Sequence, residues 1–537
     1  MSLAGRDLAR RLGLAALVAA AASPLAAERS ITPYIDVQQV LDADLNGGGD
    51  VLTYTALAAG VDAAVSNRQV NATVSYRYER RIPWNNHLDN QDVHTGLARA
   101  SVRLATPLTL DAGAIATRTR SDIRGAAPVF LTGNSSNISQ VYGGYVGPTL
   151  STTAGPLQIG ASYQLGYVRA DDKTDIALAA DQPRLDTFDH AVSQSASASV
   201  GMARGTLPFG WTVSGGWQRE DVGQLDQRFE GKNARLDVVV PVASTLAVTG
   251  GVGYENIEVG QRLPVRDADG LPVLDSHGRY ITDKSSPRLL AYDTDGLIYD
   301  GGIIWRPNRR TTLVARAGHR YGGTTVVGSL DWRVSRHSGL RVDVYDGIQS
   351  FGRLLTQNLN TLPTGFDVPN NPLIDNRSGC VFGTTPGSGG CLNSSFQSLN
   401  ANNFRNRGVT AVYTLQQGLW AYGVGGGYAQ RKYVAPEESG FVTFDGVKDE
   451  SWYVQGYAAR ELSERSGINL AVYGQWYDSD LAGADQVSAY GLTGSYYHTF
   501  GQRLTGQASA GVYTYGQDGG SGDDVRGQLL LGLRYQF

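Results

Sequence analysis

Cys380 and Cys391 are the only cysteines in the chain, and they bracket the short run CVFGTTPGSGGC. Two thiols at this spacing support either a disulfide or half of a metal site. No histidine lies nearby to complete a zinc set, so a metal site is disfavoured. In an exported protein a disulfide is the default. Closing so short a loop contributes about 3 kcal/mol in the chain-entropy account. The seven histidines, His87, His94, His190, His277, His319, His337 and His498, fall in loops, strand ends and one turn. None sits in a local serine or aspartate motif, and catalysis needs a nucleophile, a base and an orienting group within hydrogen-bond reach. No enzyme and no cofactor are predicted. The acidic pieces RDADGLPVLD at 266–275 and YDTDG at 292–296 offer oxygens that calcium would accept. Their spacing completes no EF-hand, and Asp-Gly is ordinary turn chemistry. No glycine loop opens a helix to cradle phosphate.

The remaining chemistry is spread along alternating rows. Val70, Ala72, Val74, Tyr76 and Tyr78 alternate with Asn71, Thr73, Ser75, Arg77 and Glu79. Leu246 to Tyr254, Ile468 to Trp476, Leu504 to Val512 and Gly527 to Phe537 repeat the pattern, one oily row against one wet row. This is the period of a strand, not of a helix. The wet row places Arg77, Arg99, Arg103, Arg235, Arg341 and Arg526 on one side, with Glu79, Asp237, Asp343, Tyr473 and Gln475. Only five of the 46 basic residues are lysine, and the rigid fork of arginine suits fixed pairing with carboxylates or anions. Two readings stay open: a polar conduit for a hydrophilic solute, or charge pairs that knit an inner wall. Inward Tyr345, Tyr473, Tyr477, Tyr513 and Tyr515 suggest carbohydrate contact. The favoured alternative puts them in an interfacial girdle. On the oily row, Trp420, Trp452, Trp476, Tyr254 and Phe537 are further girdle candidates.

The elements that must carry these rows are short-turn, long-loop hairpins. Tight connections occur at Ser66–Arg68, Thr106–Leu108, Ala154–Pro156, Ala243–Thr245, Pro307–Arg309, His337–Gly339, Gln417–Gly418, Ser463–Gly467 and Gly501–Arg503. Longer polar segments lie between them, chiefly 81–91, 123–137, 170–187, 261–296, 351–403, 434–449 and 516–524. That asymmetry marks an all-β fold, a transmembrane antiparallel β-barrel of the outer-membrane kind. The rhythm predicts about 22 strands (20–22), each of roughly 10 to 15 residues, with 31–42 the weakest. A solenoid would show a fixed repeat length, and a sandwich of this size a domain break. The last strand must pair with the first, because an open edge in lipid leaves backbone groups without partners. Tyr535 and Phe537 on that strand resemble the assembly signal of bacterial outer-membrane proteins.

The start, MSLAGRDLARRLGLAALVAAAASPLAAERS, reads as a signal peptide over 1–27, leaving 28–537 as the barrel. Its apolar run is shorter than the roughly 20 residues of a spanning helix. Strands begin at once thereafter, so no amino-terminal plug domain is expected, and an energy-coupled siderophore-type transporter is disfavoured. Loops 261–296 and 351–403 are left to fill or lid the opening. A net charge of −4 does not suggest nucleic acid.

ITPYIDVQQVLDADL, followed by DVLTYTALAAGVDAAVSNRQVNATVSYRYERR and LTLDAGAIATRTR, resembles the opening of the PEP-CTERM-system-associated outer-membrane protein family. That group is related to porins encoded near exopolysaccharide genes. The resemblance covers about the first 120 residues in detail. It implies a Gram-negative outer-membrane location and a role in exopolysaccharide export or surface-protein sorting. Expected partners are outer-membrane lipid, the barrel-assembly machinery, and polysaccharide or export components. The alternative is a non-conducting surface barrel whose long loops bind a partner.

Overall fold

The computed structural model describes residues 28–46, 51–84, 90–121, 137–171, 188–205, 207–275, 279–368, 371–374, 377–436, 445–481, 484, 486–517 and 524–537. The predicted signal peptide, His87, His277 and the centres of several predicted long loops lie outside them.

Twenty-two strands follow one another around a ring. They are β1 (Glu28–Asp44), β2 (Val51–Ser66), β3 (Val70–Pro83), β4 (Gln91–Ala105), β5 (Leu108–Arg120), β6 (Ile138–Ala154), β7 (Leu157–Asp171), β8 (His190–Met202), β9 (Gly210–Val222), β10 (Arg228–Pro241), β11 (Leu246–Gln261), β12 (Leu289–Asn308), β13 (Thr311–Arg320), β14 (Gly323–Trp332) and β15 (Ser338–Gln349). After an interruption come β18 (Asn403–Gln417), β19 (Trp420–Val434), β20 (Lys448–Ser463), β21 (Ser466–Ser479), β22 (Val487–Phe500), β23 (Leu504–Gln517) and β24 (Asp524–Gln536). The interruption holds α1 (Phe351–Thr361), a 3-10 turn at Pro372–Ile374, and a small hairpin of β16 (Cys380–Phe382) and β17 (Gly389–Cys391). Each barrel strand pairs antiparallel with its neighbours along the chain. β1 closes the ring on β24 from Tyr34↔Gln536 to Asp44↔Arg526. Closure leaves no open edge, the condition a sheet must meet in hydrocarbon.

The alternation places the faces as the strand period requires. Along β24, Leu531 is 66% exposed while its neighbour Leu530 is 3% exposed. Val424, Val454, Val472, Leu492 and Val512 form an exposed apolar belt across β19–β23. Aromatic pairs rim it: Trp420 stacks on Tyr422 at the short-turn end, and Tyr428 meets Trp452 toward the other. Trp420 and Tyr428 are eight residues apart on β19, about 26 Å along the strand at 3.3 Å per residue, matching a tilted crossing of a bilayer. Tyr535 and Phe537 sit edge to face on the outer surface.

Several expectations need correction. The first strand runs from Glu28 to Asp44 and pairs along almost its whole length, so it is not a weak element. YDTDG lies inside β12 rather than in a loop. The connection there is residues 262–288, a small turret whose described residues bond to one another and to the β9–β10 connection. Its amides form a closed triangle: Val265 N–H to Ile281 carbonyl, Val273 N–H to Val265 carbonyl, Ile281 N–H to Val273 carbonyl. In RDADG, Asp267 Oδ1 accepts from the amides of Asp269 and Leu271, which is turn chemistry. A short connection after β8, near residues 203–209, was missing from the predicted set. The described residues of 350–402 pack against the inner wall.

Candidate functional site

The interior is divided in two. The inserted segment covers one side of the wall. α1 begins at Ser350, whose hydroxyl accepts from the Arg353 amide as an N-cap. Its apolar stripe of Phe351, Leu355 and Leu359 buries against Leu97, Ile115, Val141, Val168, Phe188 and Ala191 on β4–β8 and the loop before β8. Arg353 and Glu220 form a buried ion pair at 3.3 Å, and Ser350 donates a short hydrogen bond to the same carboxylate. Burial pushes the Arg353 guanidinium down to about 10, against the pull of Glu220. Arg99 donates to the carbonyls of Asn360, in the last turn of the helix, and Leu362, its C-cap. Cys380 and Cys391 are bonded as a disulfide across the β16–β17 hairpin. That hairpin packs on Val412 and Tyr453. Leu373 seats on Val40, Leu52, Tyr54, Ala56 and Leu530.

Away from α1, the wall from β7 to β15 keeps a partly exposed polar inner row, interrupted by a buried apolar cluster of Phe229, Ile257, Val259 and Ile348. Glu220 points inward against α1, and the pairing registers carry that parity across the neighbouring strands. Gln158, Ser197, Thr212 and Gln218 then belong to the inner row, yet all four are solvent-exposed. Between them run Ser193, Ser195 and Ser199, also inward. Farther round, Arg235 binds Asp237 at 2.8 Å and Asp300 at 2.5 Å, and Arg316 binds Asp237 at 2.7 Å. Arg341 meets Asp343 at 2.8 Å. The Arg341–Asp343 side chains are more than a third exposed, whereas those of Arg235, Arg316, Asp237 and Asp300 are only partly exposed.

The predicted residues therefore fall into four groups. Arg235, Arg341 and Asp343 line the wet wall. Arg103 is exposed near the short-turn end of β4. Arg77, Arg99 and Arg526 are fixed structural partners. Arg77 joins Asp36 and Glu79, the latter at 3.0 Å, and Arg526 joins Asp42. Tyr473 is buried, donating to the Tyr490 carbonyl at 3.2 Å, and Gln475 stands beside Tyr453 in register. Tyr473, Tyr477 and Tyr513 are buried, so they are not girdle residues. Tyr513 donates to Asp42 at 2.7 Å, and the Tyr477 ring lies 3.7 Å from the Arg120 guanidinium.

Sequence reasoning missed Asp36, Asp42, Asp300 and Arg316. The strand alternation carried the signal for all four once boundaries were fixed. It also missed Glu220, Arg353 and Arg431, whose partners are distant in sequence and left no local pattern. Among the described residues, no group of three or more His, Cys, Asp or Glu side chains converges to hold a metal ion.

The fold and its interior define a closed 22-stranded antiparallel β-barrel with an apolar outer belt, a filled side and a wet side. Neither a family model nor a curated protein matches the sequence. Solved structures of similar shape include the ferric-catecholate import receptor Fiu of E. coli K12 in its closed form, with TM-score 0.43, 8% identity, and coverage of 94% of this chain and 81% of that one. The FrpB iron transporter of Neisseria meningitidis gives TM-score 0.43 and 8% identity over 94% and 82%. The siderophore receptor PiuA of Acinetobacter baumannii gives 0.42 and 8% over 94% and 82%.

Proposed function

We propose that this chain is an outer-membrane conduit for hydrophilic solutes, narrowed from within by its own residues 350–402. The observation that carries this reading is the set Gln158, Ser197, Thr212 and Gln218: inward by register, yet exposed to solvent. A barrel whose interior were packed shut would bury them. The closed ring, short turns at one end and long loops at the other favour a Gram-negative outer membrane, with both termini on the periplasmic side. Its partners there are outer-membrane lipid and the barrel-assembly machinery, for which Tyr535 and Phe537 form the signal. The sequence resemblance supplies the proposed cargo, an exopolysaccharide, and a place beside the PEP-CTERM export system. No catalytic step belongs to this reading.

One observation favours a second reading, a closed barrel that binds a partner outside. The 262–288 turret exposes Val265, Leu271, Leu274 and Ile281. Planar-bilayer recording of the purified protein separates the two. The conduit predicts stepwise ion currents, larger when Arg353→Ala frees the amino end of α1. Silence in both forms overturns it.

A further inference from the structure

One stretch of the inserted segment meets the wall unlike the rest. Most of it packs through apolar side chains, but residues 394–398, Ser-Ser-Phe-Gln-Ser, are hydrogen-bonded to Arg431 of β19, Ser451 of β20, and Thr119 and Arg120 of β5. Tyr345 from β15 and Tyr453 from β20 lean in from opposite sides over bare backbone. A Cβ added at Gly408 would stand 2.5 Å from the Tyr345 hydroxyl, and one at Gly427 would stand 2.7 Å from the Tyr453 hydroxyl. Toward the long-loop end, Asn406, Arg431 and Asp449 stand side by side across three strands. Asn406, Arg431, Asp449 and Ser451 are all buried; Arg431 and Ser451 bond directly to the 394–398 turn, and Tyr453 is buried beside it under the disulfide hairpin.

The turn is held by hydrogen bonds that a ligand could replace. Arg431 Nη2 donates to the carbonyls of Ser394 at 2.5 Å and Ser395 at 3.0 Å. Arg120 donates to the Gln397 carbonyl at 3.0 Å. The Gln397 side-chain amide donates a short bond to the Ser451 hydroxyl. The fit is incomplete. Arg431 Nε and Nη1, Asn406 Oδ1, Tyr453 Oη and Gln397 Oε1 are buried with no hydrogen-bond partner. Buried polar groups left this way are costly, and they cluster here on both sides of one contact.

We propose that this is a saccharide-binding site, kept shut by the 394–398 turn, which occupies it as the chain's own stand-in for a neutral polyhydroxylated ligand. The chemistry of the unmet groups selects that class. Arg431 needs acceptors, Asn406 needs a donor, and Tyr453 takes either. A hydroxyl both donates and accepts, so a sugar satisfies all three. An anion would satisfy Arg431 and Tyr453 but not the Asn406 carbonyl oxygen, and it would face Asp449. A cation would be repelled by Arg431, and an apolar ligand would satisfy nothing. The tyrosine rings add faces on which sugar C–H groups pack. The proposal rests on the conduit reading: a glycan entering the lumen competes with the turn and, by displacing it, widens its own path.

The test uses the full-length, disulfide-bonded protein in planar bilayers with maltohexaose as probe, and titration calorimetry of the same material in detergent. Wild type is expected to show reversible interruptions of current by the sugar. Gln397→Ala removes the turn's bond to Ser451, so the sugar should bind about fivefold more tightly, the worth of one ordinary hydrogen bond. Tyr453→Phe removes a hydroxyl that has no partner in the closed state. It should bind sugar about fivefold more weakly and melt at the wild-type temperature. Currents without sugar interruptions, with flat calorimetry in all three proteins, overturn the site and leave the conduit standing. Absent currents with calorimetric binding that follows the predicted order overturn the conduit and leave the site. Gln397→Ala binding no tighter than wild type overturns the competition.

Discussion

At the residue scale, small side chains decide whether the inserted segment can sit where it does. β19 turns Gly423, Gly425 and Gly427 inward, and the disulfide hairpin rests on the first two. A Cβ at Gly425 would meet Cys380 Sγ at 2.6 Å and Cys391 Sγ at 3.0 Å. Gly425→Val should therefore lift the hairpin, at about 1–3 kcal/mol, the usual cost of overpacking. Single-channel conductance should rise while the barrel keeps its strand content. Gly250→Val, placed where nothing lies within 4 Å, should change neither and serves as the control. Charge at the wet wall gives a second expectation. Arg235 and Arg316 balance Asp237 and Asp300, so the quartet carries no net charge and the wild-type pore should select weakly between cations and anions. Arg316→Ala leaves one carboxylate uncompensated. The reversal potential in a salt gradient should then shift toward cation preference at low salt and return as salt screens the lumen over about 10 Å at 0.1 M. An unchanged reversal potential at low salt would place the quartet away from the ion path.

At the element scale, the strands and most turns could be read from the sequence, but the inserted segment could not. A strand advertises itself through alternation because one face meets lipid and the other water, as Leu531 and Leu530 show. Residues 350–402 meet neither medium uniformly. They are covered by a wall whose strands lie far away in the chain, so no local period records the contact. α1 was hidden in this way, since FGRLLTQNLNT sits in a stretch otherwise rich in glycine, serine and proline. The disulfide was legible because cysteine chemistry is local. The tyrosines were misread because parity alone does not say what covers an inward ring. The helix makes its own prediction. Leu355 is fully buried in the apolar cluster against β4–β8. Leu355→Ala should weaken that seat by about 2–5 kcal/mol. Hydrogen exchange should then speed up at amides 351–361 while the barrel strands keep their protection. Equal loosening of both would show that helix and barrel unfold as one unit.

At the scale of the whole molecule, stability turns on the seam where the two ends of the chain meet, and two acids of β1 mark it. Asp36 accepts from Arg534 of β24 at 2.9 and 3.1 Å and is also paired with Arg77. Asp42 accepts from Arg526 and Gln528 of β24 and from Tyr513 of β23. Asp42 is 0% exposed, so its loss strands a guanidinium, an amide and a phenol in the interior together. Removing one partner of a buried pair typically costs about 3–5 kcal/mol. The half-exposed Arg341–Asp343 pair, screened by lumen water, should be worth about 1 kcal/mol or less. Asp42→Ala should lower the temperature at which the detergent-solubilised barrel loses its compact, fast-migrating form on a denaturing gel. Asp42→Asn, which keeps one acceptor for Tyr513, should lower it less, and Asp343→Ala should leave it nearly unchanged. The ordering matters more than any single value. The ladder of backbone bonds between β1 and β24 is the same in all three variants, so a difference among them isolates the side-chain clasp. Equal melting of Asp42→Ala and Asp343→Ala would mean that the backbone ladder alone closes the ring.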